Sequence, residues 1–332
     1  MMAILVIAKA KDIHTSYVVE KLELAGEKVY LLEYAKFPQQ IKISFRHDGD
    51  CSGLIFEFEN GETLKSKDIK SVYNRRQESP KAHKGLKSRK VKEYIVRESQ
   101  YFLDALPKVL NAFWFSNQDS IINASCKPYQ LIQAQKVGFK TPDTIITNSG
   151  KQVLEFAEES DLKEIAIKSL NTPGFISGHG RNRMALAFYT QKVNRRELPK
   201  LALRAQNCPT TFQPYIEKDF ELRITVVGEK IFPCAIHSQK AVRTKYDWRK
   251  YDIPNTPHEV FKLPIDVEMK CLSLIKNLGL VFGCIDMIVT PNGEYVFLEV
   301  NPNGQWLWVE KLTGFPIGDS IVDALVRGKS DI

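Results

Sequence analysis

The chain has 332 residues, 43% hydrophobic and 26% charged; this ordinary globular usage excludes a disordered or fibrous protein and suggests about two domains. Lys and Arg number 47 against 39 Asp and Glu, a net +8 that favours anionic ligands without naming one. No apolar run reaches about eighteen residues, which argues against a membrane span, and the six cysteines form no CxxC pair. A soluble protein of the reducing cytoplasm is therefore expected, with neither a zinc site nor a disulfide framework.

The first forty residues read as βαβ. Residues 1–8 are apolar but lack a basic flank and a small-residue cleavage site, so they predict a buried strand rather than a signal peptide. A helix follows, with Val18, Leu22 and Ala25 on one face and Gly26 at its end, then a strand Val29–Leu32. Such a unit implies a partly parallel sheet. Ile41–Phe45 and Gly53–Phe58 predict further strands, with a hairpin turn at 59–62. Residues 81–92 form a basic run leading into a helix over 91–110; it reads as a solvated loop or as a docking surface for an acidic peptide. No nucleic-acid-binding signature accompanies it.

Near residue 115 the texture changes. Lys127 and Pro128 open a helix that Gly138 ends, Thr141–Thr144 lead into a strand, and 151–160 is a short helix. Strand Glu164–Lys168 then carries a lysine on an apolar segment, where it is costly unless an anion meets it. A glycine-rich basic loop with Gly174, Gly178 and Gly180 follows; it lacks the GxxxxGK[ST] spacing but could cradle phosphates through backbone N–H groups. The last third reads as antiparallel hairpins plus one helix, with Cys271, Leu274, Ile275 and Leu278 on its buried face.

The most informative stretch is Leu280–Gly304. Two apolar strands flank Pro291-Asn292-Gly293, and Asn-Gly signals a two-residue type I′ turn. That register places Asp286 directly opposite Glu299, with Asn301 two residues further on the same face. Opposed carboxylates repel, so removing one is expected to relieve the ligand-free protein. A hard divalent cation would satisfy both, and Mg²⁺ characteristically takes one or two carboxylates together with nucleotide phosphates. Lys127 and Lys168 are the candidate phosphate contacts. Asp247-Trp248-Arg249 lies in a charged, turn-rich stretch and predicts an exposed surface loop.

Read in order, Lys127, Lys168, Gln213-Pro214-Tyr215-Ile216, Glu221-Leu222-Arg223, Asp286 and Leu298–Gly304 resemble the ATP-grasp superfamily. The closer likeness is to the microviridin-type peptide maturases, or graspetide ligases. It is carried also by Tyr73-Asn74-Arg75-Arg76, Asp247-Trp248-Arg249 and Asn301-Pro302-Asn303-Gly304-Gln305-Trp306. The resemblance implies an α+β ATP-grasp fold preceded by an α/β domain. The expected division is an N-terminal domain over 1–115, a central subdomain over 116–210 and a C-terminal subdomain over 211–332.

By the same resemblance, Lys127 and Lys168 would contact ATP phosphates. Gln213, Tyr215 and Ile216 would frame the adenine, with Glu221 near the ribose. Asp286, Glu299 and Asn301 would hold Mg²⁺, and Arg223 would face the transferring phosphoryl group. Arg249 would grip the acceptor carboxylate, oriented by Asp247. The implied activity is an ATP-dependent ligase that closes ω-ester or ω-amide rings in a ribosomally made precursor peptide. Its leader segment is the implied partner, with the N-terminal domain a candidate docking surface and a homodimer left open; neither nucleic acid nor membrane is expected. Rival readings are a ligase adding a free amino acid to a protein tail or small molecule, and a non-catalytic ATP-binding regulator. A general base is not identifiable; His179 and His237 are the candidates.

Overall fold

The computed structural model describes residues 2–9, 11–49, 52–170, 174–177, 184–250 and 252–329. Strands Ala3–Ile7, Lys28–Leu32, Ile69–Asn74 and Phe113–Phe115 form a parallel sheet, with Ala3–Ile7 between the second and third. Continuously apolar Ala3–Ile7 is buried throughout, as a parallel strand covered on both faces must be. Helix Ile13–Leu24 starts where the Asp12 side chain accepts the Thr15 N–H. Its buried face is His14, Thr15, Val18 and Leu22; Ala25, expected on that face, caps the helix and is exposed. The hairpin over 59–62 joins Ser52–Glu57 to Thr63–Lys65 in a small antiparallel sheet with Lys42–His47. The helix after the basic run spans Arg89–Asp104, and a separate short turn of helix, Leu106–Val109, carries Pro107 as its second residue.

A second sheet brings together Ile145–Thr147, Glu164–Lys168, Gln191–Asn194 and Thr210–Pro214, backed by helices Gly150–Glu159 and Leu198–Ala205. The glycine-rich loop contributes an antiparallel pair, Gly174–Ser177 with Met184–Ala187. The rest of that loop, including Gly178, Gly180 and His179, lies outside the described residues.

The third sheet is antiparallel, and its strands run, in spatial order, His258–Val260, Lys230–Ile236, Phe220–Val227, Phe282–Val289 and Tyr295–Asn301. Alternation gives the central strands two different faces. Leu222, Ile224, Val226, Ile285, Met287 and Val289 pack into a core with helix Ile265–Asn277 and helix Lys127–Lys136. On the opposite face, Val227, Phe282 and Cys284 join a core with the N-terminal sheet and its helices, while Glu221, Arg223 and Asp286 occupy the remainder.

The last third holds more helix than the sequence reading allowed. Leu307–Thr313 and Ile317–Arg327 follow the final strand, and the second packs on helix Ile13–Leu24. Its signal was present: Ile317, Ile321, Ala324 and Leu325 recur at helical spacing, and Gly328 ends it. Among the described residues no helix is long and apolar enough to cross a membrane.

Candidate active site

The hairpin that carries the acidic residues reaches its expected register by a different route. Asn292 does not adopt positive φ, whereas Gly293 does at +77°, which excludes a type I′ turn. The loop is instead Pro291-Asn292-Gly293, closed by Gly293 N–H to Thr290 O at 2.8 Å. That turn alone would misplace the carboxylates by one residue. A bulge at Leu298 restores the pairing, so Met287 faces Phe297 while Asp286 faces Glu299.

Three charged residues thereby stand on adjacent strands at the same level: Arg223 opposite Asp286, and Asp286 opposite Glu299. The repulsion read from the sequence is already answered by the chain itself. Arg223 NH1 donates to both Asp286 oxygens at 3.0 and 2.9 Å, and Asn301 Nδ2 donates to Oδ2 at 3.1 Å. Burial pushes the Asp286 carboxyl up, Arg223 pulls it down and Glu299 pushes it up again, leaving it above the ordinary carboxylate range. Glu299 pairs with Lys127, and Arg249 NH1 lies 3.8 Å from its other oxygen. Burial alone would raise the Glu299 carboxyl; Lys127, Arg249 and Lys168 outweigh it and hold it at about 2.

Lys127 is aimed by its own helix. Gln130, one turn on, is buried and clamps strand Tyr295–Asn301 through both halves of its amide, donating to Val300 O at 2.8 Å and accepting the Val300 N–H at 2.9 Å. Lys168 ends its strand half-buried in the same cleft. Burial is the larger cause of its lowered pKa, about 8, with Lys127 and Arg249 adding to it and Glu299 opposing.

Asp247 and Arg249 correct the expectation of an exposed surface loop. Asp247 is 4% exposed, and its carboxylate accepts Arg249 Nε at 2.8 Å, Arg249 NH2 at 2.7 Å and the Thr190 N–H at 2.9 Å. Burial opposes ionisation of Asp247, but the Arg249 guanidinium and these N–H groups prevail, holding its pKa at about 2. One edge of the guanidinium is thus spent on Asp247, which leaves the NH1 side for the cleft.

These side chains line a single cleft enclosing about 360 Å³. Gln213, Tyr215, Ile216, Glu221, Arg223's partner Asp286, and Asn301 all border it. The Tyr215 N–H is taken by Glu164 O, so any reading of a base edge there falls to its carbonyl and to Ile216. Gln213 donates to Thr144 Oγ1 at 2.9 Å. Glu221 is buried against Lys218, which the sequence reading gave no role, and burial lifts its pKa to about 7 against the pull of Lys218. Arg76, quoted earlier only for its likeness, also borders the cleft. His237 does not: its Nε2 lies 2.7 Å from Glu259, away from the cleft lining.

The donor set suits a phosphate-bridged Mg²⁺ rather than a self-sufficient metal cage. Among the described residues no group of three His, Cys, Asp or Glu side chains could hold a metal. Two carboxylates and the Asn301 amide are the incomplete set expected when substrate phosphates supply the other ligands. Glu221 Oε2 and Thr211 Oγ1 are buried in the cleft lining without a hydrogen-bond partner, as acceptors awaiting a ligand's hydroxyls would be.

A family model described as the MvdD pre-ATP grasp domain matches residues 3–122. No curated protein matches the sequence. Among solved structures, the chain is similar to the macrocyclase MdnC from Microcystis aeruginosa MRC, bound with precursor peptide MdnA. That match has 30% identity and a TM-score of 0.84, covering 98% of this chain and 100% of that one. It is also similar to a RiPP-associated ATP-grasp ligase from Chryseobacterium gregarium in complex with ADP and a leader and core peptide. There the identity is 28% and the TM-score 0.87, over 98% of this chain and 97% of that one. Macrocyclase MdnB from M. aeruginosa MRC matches at 30% identity and TM-score 0.79, over 99% and 100%. With 30% identity over nearly the whole length of both chains, this chain belongs to the family of ATP-grasp macrocyclases that includes MdnC and MdnB.

Proposed function

We propose that the protein is an ADP-forming ligase that crosslinks side chains within a ribosomally made precursor peptide, using Mg²⁺ and ATP in the cytoplasm. The observation that carries this reading is the alignment of Lys127, Lys168 and Arg249 around Glu299, beside Asp286 and Asn301, on a fold shared end to end with peptide-bound macrocyclases. The leader segment of that peptide is the proposed partner, and the N-terminal domain its proposed docking surface. The division at residues 115 and 210 is proposed with it; separate sheets on either side support the boundary at 115, whereas strand Thr210–Pro214 pairs within the central sheet, which argues for a second boundary after Pro214.

The chemistry follows from charge placement. A peptide Asp or Glu carboxylate attacks the γ-phosphorus; the bond to ADP breaks and ADP leaves with the electron pair. A Ser or Thr hydroxyl, or a Lys amine, then attacks the acyl carbon of the mixed anhydride and inorganic phosphate departs, so each ring leaves the peptide one water lighter. Lys127 and Lys168 neutralise phosphate oxygens, and Gln213, Tyr215 and Ile216 frame the base while Glu221 accepts from the ribose. Asp286, Glu299 and Asn301 would hold Mg²⁺, which when bound supplies charge neutralisation at the phosphates. Arg249, braced by Asp247, presents the NH1 side of its fork to the acceptor carboxylate, and Arg223 fixes Asp286 next to the transferring group. Such transfer needs positioning and charge rather than a protein nucleophile.

Incubation with Mg²⁺, ATP and an acidic precursor peptide bearing Ser, Thr or Lys tests the reading. ADP release should depend on the peptide and match, ring for ring, the water lost in its mass spectrum. ADP release independent of the peptide, with its mass unchanged, would remove the ligase assignment; transfer of an added free amino acid would favour the rival ligase.

A further inference from the structure

Among the described residues, Arg76 is the sole member of the first 115 to line the cleft. It stands at the end of strand Ile69–Asn74, whose carboxyl end lies beside that of Ala3–Ile7. These are the two strands between which the order of the parallel sheet reverses, the place where open α/β sheets form ligand crevices. Here the chain fills most of that crevice itself. Arg75 is buried, with Nε 3.1 Å from Asp12 Oδ1 and NH1 3.3 Å from Gly304 O, and the Trp306 ring packs edge-on against His14 at 5.2 Å.

The neighbouring arginine is treated in the opposite way. Arg76 is exposed, and its backbone adopts φ +27°, a strained conformation for a side chain of that size. Its hydrogen bond among the described residues, NH2 to Asn303 O, is long at 3.4 Å. Among the described residues no carboxylate lies within ion-pair distance of it; the cations Arg75 and Arg223 act against its charge, and Asp12, which acts in favour of it, is itself bound to Arg75. A strained backbone thus holds an uncompensated guanidinium at the cleft wall. The charges acting on Lys168 are a different set, Glu299, Lys127, Arg249 and Asp247. The phosphate-binding role proposed above belongs to the Lys168 group, which leaves Arg76 for another anion.

We infer that Arg76 is the contact through which the N-terminal domain binds a carboxylate of the peptide substrate. The planar fork suits a carboxylate bidentately, whereas a lysine there would supply charge alone. The inference rests on the ligase reading for what enters the cleft, but its test does not require turnover.

Fluorescence anisotropy of a fluorescein-labelled synthetic peptide rich in Glu and Asp, beside its Gln and Asn counterpart, measures the contact directly. Wild type should bind the acidic form more tightly. Arg76→Ala should weaken the acidic form at least tenfold, about 1.4 kcal/mol, and the amide form little, with Arg76→Lys between. ATP affinity by calorimetry should stay within about twofold. Thermal unfolding of both variants should match wild type, because the side chain is exposed. Equal binding of the two peptides by wild type, or unchanged acidic binding in Arg76→Ala, would overturn the inference; so would a loss of ATP affinity as large as the loss for peptide. A wild type that binds the acidic peptide through Arg76 yet never releases ADP would instead remove the ligase reading and leave this contact standing.

Discussion

Asp286 and Glu299 face each other across one rung of a hairpin, yet their surroundings solve the same problem differently. Asp286 is 6% exposed and locked by Arg223 and Asn301, both on neighbouring strands. The Glu299 side chain is 19% exposed and is met by Lys127 from a helix start and by Arg249 from a turn. A buried pair with its hydrogen bonds satisfied is a fixture, since removing either partner strands a charge away from water. The pair at the cleft wall is less enclosed, so an arriving phosphate or water can replace a departing partner more readily there than at Asp286. The first carboxylate is therefore part of the scaffold, and the second is the one free to trade Lys127 for an arriving ligand.

Substitution of the two carboxylates tests that contrast most severely. Both Asp286→Asn and Glu299→Gln should abolish peptide-dependent ADP release in Mg²⁺. In ligand-free denaturant melts they should part in degree: Asp286→Asn strands the buried Arg223 and should lose roughly 3–5 kcal/mol, while Glu299→Gln gives up the pull of Lys127 and Arg249 at a wetter position and should lose less, roughly 1–3 kcal/mol. Relief of repulsion, expected for either from the sequence, is outweighed at both positions by the cations that each carboxylate would leave behind. Equal stabilities would mean that Arg223 is no fixture.

Arg249→Lys comes next in size. It keeps the charge but loses the fork, and the Asp247 pairing with it. Peptide modification should fall at least tenfold, about 1.4 kcal/mol of transition-state binding, with ATP affinity within about twofold. Equal losses in both would move Arg249 onto the nucleotide.

Lys168→Met probes the cation that burial has already weakened. Burial lowers its pKa to about 8, so the charged form is disfavoured in the empty cleft and favoured once phosphates arrive. Calorimetry should show weaker ATP binding, while the ligand-free melting temperature should hold or rise. Unchanged affinity would return Lys168 to a structural role.

The smallest effect is the pH response of Glu221. Burial raises its pKa to about 7, so between about 4.5 and 7 the folded state holds a proton that the unfolded chain has released. Its contribution to stability therefore declines as pH rises through that window. Glu221→Gln should remove this decline, so that the variant gains on wild type from pH 5 to 7 in ligand-free melts. A constant difference would show that Lys218 already compensates the carboxylate fully.

Local chemistry made much of this legible beforehand. The buried first strand, the helix opening at Lys127, strand Glu164–Lys168 and the facing of Asp286 and Glu299 all follow from periodicity, caps and turn residues. That last success was indirect, because the wrong turn type and an unforeseen bulge offset each other. Bulges leave little trace in sequence, since the extra residue, Leu298, is an ordinary strand former. Asp247 was misjudged for a related reason: a charged, turn-rich stretch looks exposed until another part of the chain, the Thr190 backbone, closes over it.

By itself, then, the sequence determined which elements form and which residue types meet at the acidic hairpin, because those depend on neighbours within a few positions. Tertiary structure alone decided which cation each carboxylate receives, since Arg223, Lys127 and Arg249 come from three separate elements. It also decided that Gly304 must stay a glycine, for a Cβ there would stand 2.5 Å from Cys284 Sγ and 2.7 Å from Arg223 NH2. Both outcomes arise from the packing of distant segments into one low-dielectric space, where a charge is fixed by its partners rather than by its place in the chain.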